Sequence, residues 1–323
     1  MILIRTPFRI SFVGGGSDFQ NFYSMEPGQV ISTTINRYIY HAINKKFENN
    51  IRLNYSQTEL INNPRQIKHP LFNIILNLYR IDSHLEISSL ADIPSKGSGL
   101  GSSSSFSVGL INGINQFLNK NVTKEFLAKE SCNVEINLCK EPIGKQDQYA
   151  AAYGGLNHYT FNTDDTVKIK KIRYTDSIDE FKKSLIFFYT GRTRESSSIL
   201  SEQNKNLNDK IYFNYVREIV DLVKLFESNL KKGNIDLCGK LIDHNWKLKK
   251  LLASNISDNF IDSIYDKAMK LGAFGGKLLG AGHGGFLMLV APKELHNKIK
   301  KEINLESYDF DFDTEGSKLI YRD

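Results

Sequence analysis

The chain is poor in cysteine, proline and tryptophan, with three, seven and one among 323 residues. Three cysteines are an odd number, and Cys132, Cys139 and Cys238 share no CxxC spacing, so neither a disulfide framework nor a thiolate metal centre is expected. No run approaches the ~18 apolar residues of a membrane-spanning helix. The opening apolar stretch is interrupted by Arg5 and Arg9, unlike a secretory signal. A cytoplasmic protein with buried thiols is the expectation. Charge of one sign is also lacking. Lys and Arg number 42 against 36 Asp and Glu, and the basic residues fall in short scattered runs at 168–173, 230–233 and 297–301. Nucleic-acid binding asks for a clustered stripe or a recognisable motif. Neither nucleic acid nor membrane is therefore an expected partner.

What remains is ordinary for a folded protein: 41% hydrophobic and 24% charged residues. Residues 2–13 alternate and end at Gly14-Gly15-Gly16, which predicts a strand running into a turn. Residues 30–47, rich in β-branched and aromatic side chains, together with 51–55 and 84–90, predict further strands, and 70–80 a helix. Thr123 is positioned to cap a helix running to about Leu138, which Pro142 and Gly144 end. Several strands are expected over 155–190, three or four amphipathic helices over 194–271, and a glycine-rich tract at 272–285 leading into a strand. The alternation predicts an α+β protein of two domains, 1–165 with a mixed sheet and 166–323 rich in helices.

The strongest local signal is PSKGSGLGSSSSF, Pro94 to Phe106, which runs straight into an apolar stripe of Phe106, Leu110, Ile114 and Phe117. Gly97, Gly99 and Gly101 let successive backbone N–H groups converge, and a helix start at Ser102 adds partial positive charge, a combination suited to a triphosphate. A Walker loop is ruled out, because Gly276-Lys277 and Gly144-Lys145 are followed by Leu278 and Gln146 rather than Ser or Thr. Gly280, Gly282 and Gly285 satisfy GxGxxG but precede a strand instead of following one, which argues against a dinucleotide site. Glu135 sits beside the apolar stripe of the Thr123 helix and needs a partner there, either a magnesium ion on phosphate oxygens or a buried cation. Asp147 follows the helix break and can point into a cleft or cap a helix.

Three segments, RTPFRISFVGGGSDF at 5–19, PSKGSGLGSSSS at 94–105 and GGKLLGAGHGG at 275–285, resemble in order and spacing the three motifs of the galactokinase, homoserine kinase, mevalonate kinase and phosphomevalonate kinase family. EPIGKQDQYAAAYGG at 141–155 is similar to a fourth segment, found in the sugar-kinase branch. VISTTINRYIY at 30–40 and TGRTRESSSIL at 190–200 carry a closer likeness to the branch acting on D-glycero-D-manno-heptose 7-phosphate. The resemblance implies transfer of the ATP γ-phosphoryl to the anomeric hydroxyl of that sugar phosphate, with ATP and Mg²⁺ required and room for a homodimer.

Carried over by residue, the likeness implies a phosphate loop of Gly97, Ser98, Gly99, Leu100, Gly101, Ser102, Ser103 and Ser104, with magnesium on Ser103 and Glu135. It further implies catalysis by Asp147 and Arg9, and substrate contacts from Gly16, Ser17, Asp18 and Gly282. A phosphate on the substrate needs cations outside that loop. Arg194 is the first candidate, with Arg37, Arg192 and Lys277 behind it. Two departures from the family are GGGSD in the first motif, which argues against a galactose-type substrate, and His283 in the third. The alternatives are another sugar 1-kinase of fucose or galactose type and a non-catalytic sugar sensor. A decarboxylase of the mevalonate branch is disfavoured by the sugar-type segment at 142–148.

Overall fold

The alternating residues of β1 (Ile2–Val13) and the long, β-branched β2 (Gly28–Lys45) pair antiparallel from Ile2 opposite Ile43 to Val13 opposite Ile31. The structure, a computed structural model, describes residues 1–94, 97–192 and 196–323. Around this pair grows a nine-stranded sheet, which adds β3 (Ile51–Asn54), β4 (Thr58–Ile61), β5 (Leu85–Ala91), β6 (Asn157–Phe161) and β7 (Val167–Lys171). A second, four-stranded sheet holds β8 (Leu185–Tyr189), β9 (Gly275–Leu278), β10 (Phe286–Val290) and β11 (Ser307–Tyr308) in the order β11-β8-β10-β9. β12 (Phe312–Asp313) and β13 (Lys318–Arg322) then return to the first sheet, beside β2 and β1. The sheets therefore do not divide at residue 165, since β7, β12 and β13 all join the first sheet. β3 runs parallel to β5, and the other pairings are antiparallel, so the α+β class holds.

The helices in chain order are α1 (Gln20–Tyr23), α2 (Pro70–Leu78), α3 (Ser102–Phe117), α4 (Lys124–Cys132), α5 (Gln146–Tyr153) and α6 (Asp176–Lys183). α7 (Ser196–Asn206), α8 (Lys210–Lys232), α9 (Ile235–Lys250), α10 (Asn259–Lys270) and α11 (His296–Ile303) follow. α3 lies on β1 and β2, and it can approach closely because Gly109 faces Thr6 and His41, where a Cβ would stand 2.6 Å from the Thr6 hydroxyl. One apolar cluster fills the space between the first sheet and α2–α5. A second, centred on Trp246, Phe188 and Leu289, joins the second sheet to α7–α10.

Thr123 caps α4 as expected, its hydroxyl accepting from the Phe126 N–H at 3.1 Å. The helix continues to Leu138, but residues Asn133–Leu138 wind as a π-helical turn. No helix among the described residues is long and apolar enough to cross a membrane.

Candidate active site

The ends of β1, α3, α5, α9 and β9 meet around an open cavity of about 590 Å³. Its walls bring together the segments that sequence reading singles out separately: Arg9, Gly16 and Asp18 from the first motif, Gly97, Gly99 and Gly101 to Ser104, then Asp147, and Gly280 to Gly282.

The two glycine tracts touch backbone to backbone. Gly99 and Gly280 both have positive φ, 75° and 72°, and a Cβ on Gly280 would stand 2.4 Å from the Gly99 Cα. Only glycine suits both demands. Gly101 caps α3 with φ 74°, so the helix N-terminus opens directly onto the cavity. Ser98 is buried with a hydroxyl that has no hydrogen-bond partner, and buried polar groups left unpaired are unusual enough to point to an absent partner. Leu100 is fully buried and belongs to the core, while its carbonyl accepts from the Arg9 N–H at 2.9 Å.

Arg9, nearly buried on β1, donates to both oxygens of Asp147 at 2.7 Å each and to the Gly99 carbonyl at 2.7 Å. This bidentate fork fixes the carboxylate's orientation. One residue ties the glycine loop to the carboxylate. Asp147 retains a side-chain exposure of 23%, enough to meet a ligand from the cavity.

Asp18 accepts from the N–H groups of Gly16 and Gln146, both at 3.1 Å, and from the Gln146 side-chain amide at 3.3 Å. Burial raises its pKa above the ordinary aspartate value, and the Asp147 charge raises it further. Gly144 is required beside it, since a Cβ there would stand 2.0 Å from Asp18 Oδ2.

Glu135, on the π-helical turn, lies beneath the start of α3. Its Oε2 accepts from Ser107 Oγ at 3.0 Å and Gln148 Nε2 at 2.7 Å, and the hydroxyls of Ser103 and Ser104 face it as well. Burial pushes its pKa up to about 7 despite these donors. Among the described residues no group of three or more His, Cys, Asp or Glu forms a metal centre. A lone carboxylate beside serine hydroxyls instead fits magnesium, which takes one or two carboxylates and completes its shell with phosphate oxygens and water.

Some expected residues are not brought to the cavity. Ser17 is fully buried, its hydroxyl donating to Gly14 O at 2.8 Å and Gln29 O at 3.0 Å, so it holds the turn rather than a ligand. Arg37 binds the carbonyls of Asn36 and Asp309 and stacks on Phe310, away from the cavity. Arg192 pairs with Asp258 and stacks on Phe260. Arg194 lies outside the described residues. His283 approaches the Asn255 carbonyl.

Other residues on the walls are ones sequence reading misses or ranks low: Ser11, Gln146, Gln203, Lys249 and Lys277. Lys249 donates to the Gly280 carbonyl and Lys277 to the Phe12 carbonyl at 3.3 Å. Burial, then the Arg9 charge, brings the Lys249 amine down to about 8. Burial, then Lys249 and Arg9, holds Lys277 well below the ordinary lysine value. A signal existed for Lys249, which follows the apolar-side positions Asn245 and Trp246 by four and three residues on α9.

The model for the GHMP kinases N terminal domain matches residues 65–155, and that for the GHMP kinases C terminal matches 226–308. The chain is 28% identical to a D-glycero-alpha-D-manno-heptose 7-phosphate kinase of Campylobacter jejuni, with 98% of each chain covered. It is 27% identical to a galactokinase of Pyrococcus furiosus, over 91% of this chain and 90% of the other. A crystal structure of a D-glycero-D-manno-heptose 1-phosphate kinase from Bacteroides thetaiotaomicron superposes with a TM-score of 0.81 at 22% identity, covering all of both chains. With both family domains matched in order around one cavity, the chain belongs to the GHMP kinase family and is an ATP-dependent phosphotransferase whose acceptor is a hydroxyl group.

Proposed function

We propose that the chain phosphorylates a heptose phosphate, transferring the ATP γ-phosphoryl to the anomeric hydroxyl of D-glycero-D-manno-heptose 7-phosphate to give the 1,7-bisphosphate. The observation that carries the transfer step is the Arg9–Asp147 fork beside the glycine loop. It sets an acceptor-directed carboxylate next to phosphate-directed amides. The sugar is supported by the full-length likeness to a heptose 7-phosphate kinase and by the absence of Glu-His in the first motif, where Gly15 and Gly16 line the cavity with Asp18.

In this reading Gly97 to Ser104 cradle the phosphates of ATP through backbone N–H groups and hydroxyls. Glu135 and Ser103 hold Mg²⁺, which neutralises phosphate charge when bound. Asp147 orients the attacking hydroxyl and takes its proton, and Arg9 fixes Asp147 and faces the developing charge. Asp18, Gly16 and Gly282 line the side taken by the sugar. Little covalent chemistry is asked of the protein, since phosphoryl transfer depends mainly on alignment and neutralisation of charge.

ADP release measured with Mg-ATP across a panel of sugars and sugar phosphates tests this. Turnover with heptose 7-phosphate, and a product whose new phosphate is on the anomeric carbon by ³¹P NMR, is the expected result. Preference for galactose, fucose or another acceptor would overturn the named substrate, and no turnover with any alcohol would overturn the kinase reading.

A further inference from the structure

The geometry points to a second anion seat in this cavity, formed by Lys249 and Lys277, separate from the glycine loop and suited to a phosphoryl group. Both side chains line the cavity, yet Lys249 is 7% and Lys277 2% exposed. Each ammonium donates one hydrogen bond, to a backbone carbonyl, and among the described residues neither has an ion-pair partner. Each amine therefore keeps donors to spare. A buried amine with no anion beside it is driven toward its neutral form, and an anion seated against it favours the charged form again.

The neighbouring charges do not supply that pairing. Arg9 is already bound by Asp147, and Asp18, the other carboxylate facing Lys249, is held toward its neutral form by burial. Lys249, Lys277 and Arg9 repel one another. Ser11 adds a further donor. It shares the cavity-facing side of β1 with Arg9, is 6% exposed, and its hydroxyl has no partner. Two lysine amines and a hydroxyl from three elements, α9, β9 and β1, suit a tetrahedral group, whereas a planar carboxylate is usually met by a guanidinium fork.

A phosphoryl group could come from two sources, and the inference rests on the proposed function for both. It is either the phosphate the acceptor already carries or the group in flight from ATP. Lys249 holds the carbonyl of Gly280 next to the glycine loop, and the charges of Asp147 and Asp18 act on it across the same cavity, so the seat borders the space of both sources.

The test uses the full chain with Lys249→Met, Lys277→Met and the double variant. If the acceptor's own phosphate occupies the seat, KM for the sugar phosphate rises at least tenfold, KM for ATP stays within twofold, and discrimination against the dephosphorylated sugar collapses. If the transferring group occupies it, kcat falls at least tenfold for both acceptors with little change in either KM. Kinetic constants within twofold of the parent in the double variant would overturn the proposal.

A second measurement needs neither variants nor turnover. Acetic anhydride labelling of the parent protein, read by mass spectrometry, should show Lys249 and Lys277 protected by inorganic phosphate. Unchanged labelling of both would overturn the seat even if the kinase reading stands. Protection in a protein that phosphorylates no sugar would instead leave the seat and remove the proposed function.

Discussion

Arg9 reaches Asp147 through two hydrogen bonds of equal length while its third nitrogen holds the carbonyl of Gly99. The Asp147 carboxylate and the glycine loop are thereby positioned by one guanidinium. Asp147→Asn keeps the shape but removes the charge and the basic oxygen. General-base contributions of about 10²–10⁴ set the scale of the expected fall in kcat. KM for ATP should change little, because Asp147 belongs to the acceptor side. Steady-state kinetics check this, and an Asn variant within threefold of the parent kcat would deny Asp147 a part in the chemistry.

The Gly99–Gly280 contact leaves no room for a methyl group. Gly280→Ala adds overpacking and a positive-φ penalty, together about 2–4 kcal/mol. The loops must then part, so the expected outcome is a lower midpoint of urea unfolding together with a KM for ATP raised about tenfold or more. An unchanged KM would show that nucleotide binding does not depend on this contact.

Glu135 makes stability depend on pH in a defined direction. Its carboxyl titrates near 7 in the fold, against about 4.3 when unfolded. The native state therefore holds this proton more tightly, and its contribution to stability declines as pH rises through that window and stays low above it. The gap corresponds to about 4 kcal/mol. Without nucleotide, Glu135→Gln should match the parent near pH 5 and exceed it near pH 8, by urea unfolding at both values. The same variant should lose magnesium-dependent turnover. A stability difference that does not vary with pH would contradict the buried carboxyl described here.

Much of this was legible because local chemistry and global fold agree. The alternation of residues 2–13, the apolar stripe after Ser102 and the cap at Thr123 all recur as β1, α3 and α4. The glycine loop could be read as an anion cradle because glycine and serine have few other reasons to precede such a stripe. The remainder depended on tertiary contacts. Lys249 stands among Lys247, Lys249 and Lys250, a run that reads as a solvated face, and only the packing of α9 under the cavity buries its middle member. Ser17 looked like a sugar contact, but the tight turn claims its hydroxyl. The segment around Asp176–Lys183 was expected among strands and is a helix, its apolar positions Ile178 and Phe181 spaced by three. The return of β12 and β13 to the first sheet has no sequence signal short of the pairing itself.

The π-helical winding over Asn133–Leu138 has a mechanical consequence. Such a turn accommodates one residue more than α-helical winding would, and each residue of an α-helix advances the side chains by about 100°. Deleting a single residue inside this stretch would let the helix rewind, swinging Glu135 or the segment leading to Gly144 and Asp147 out of phase with the other. That one surplus residue acts as a gear tooth, keeping the Glu135 carboxylate under the serines in step with the Asp147 carboxylate in the cavity.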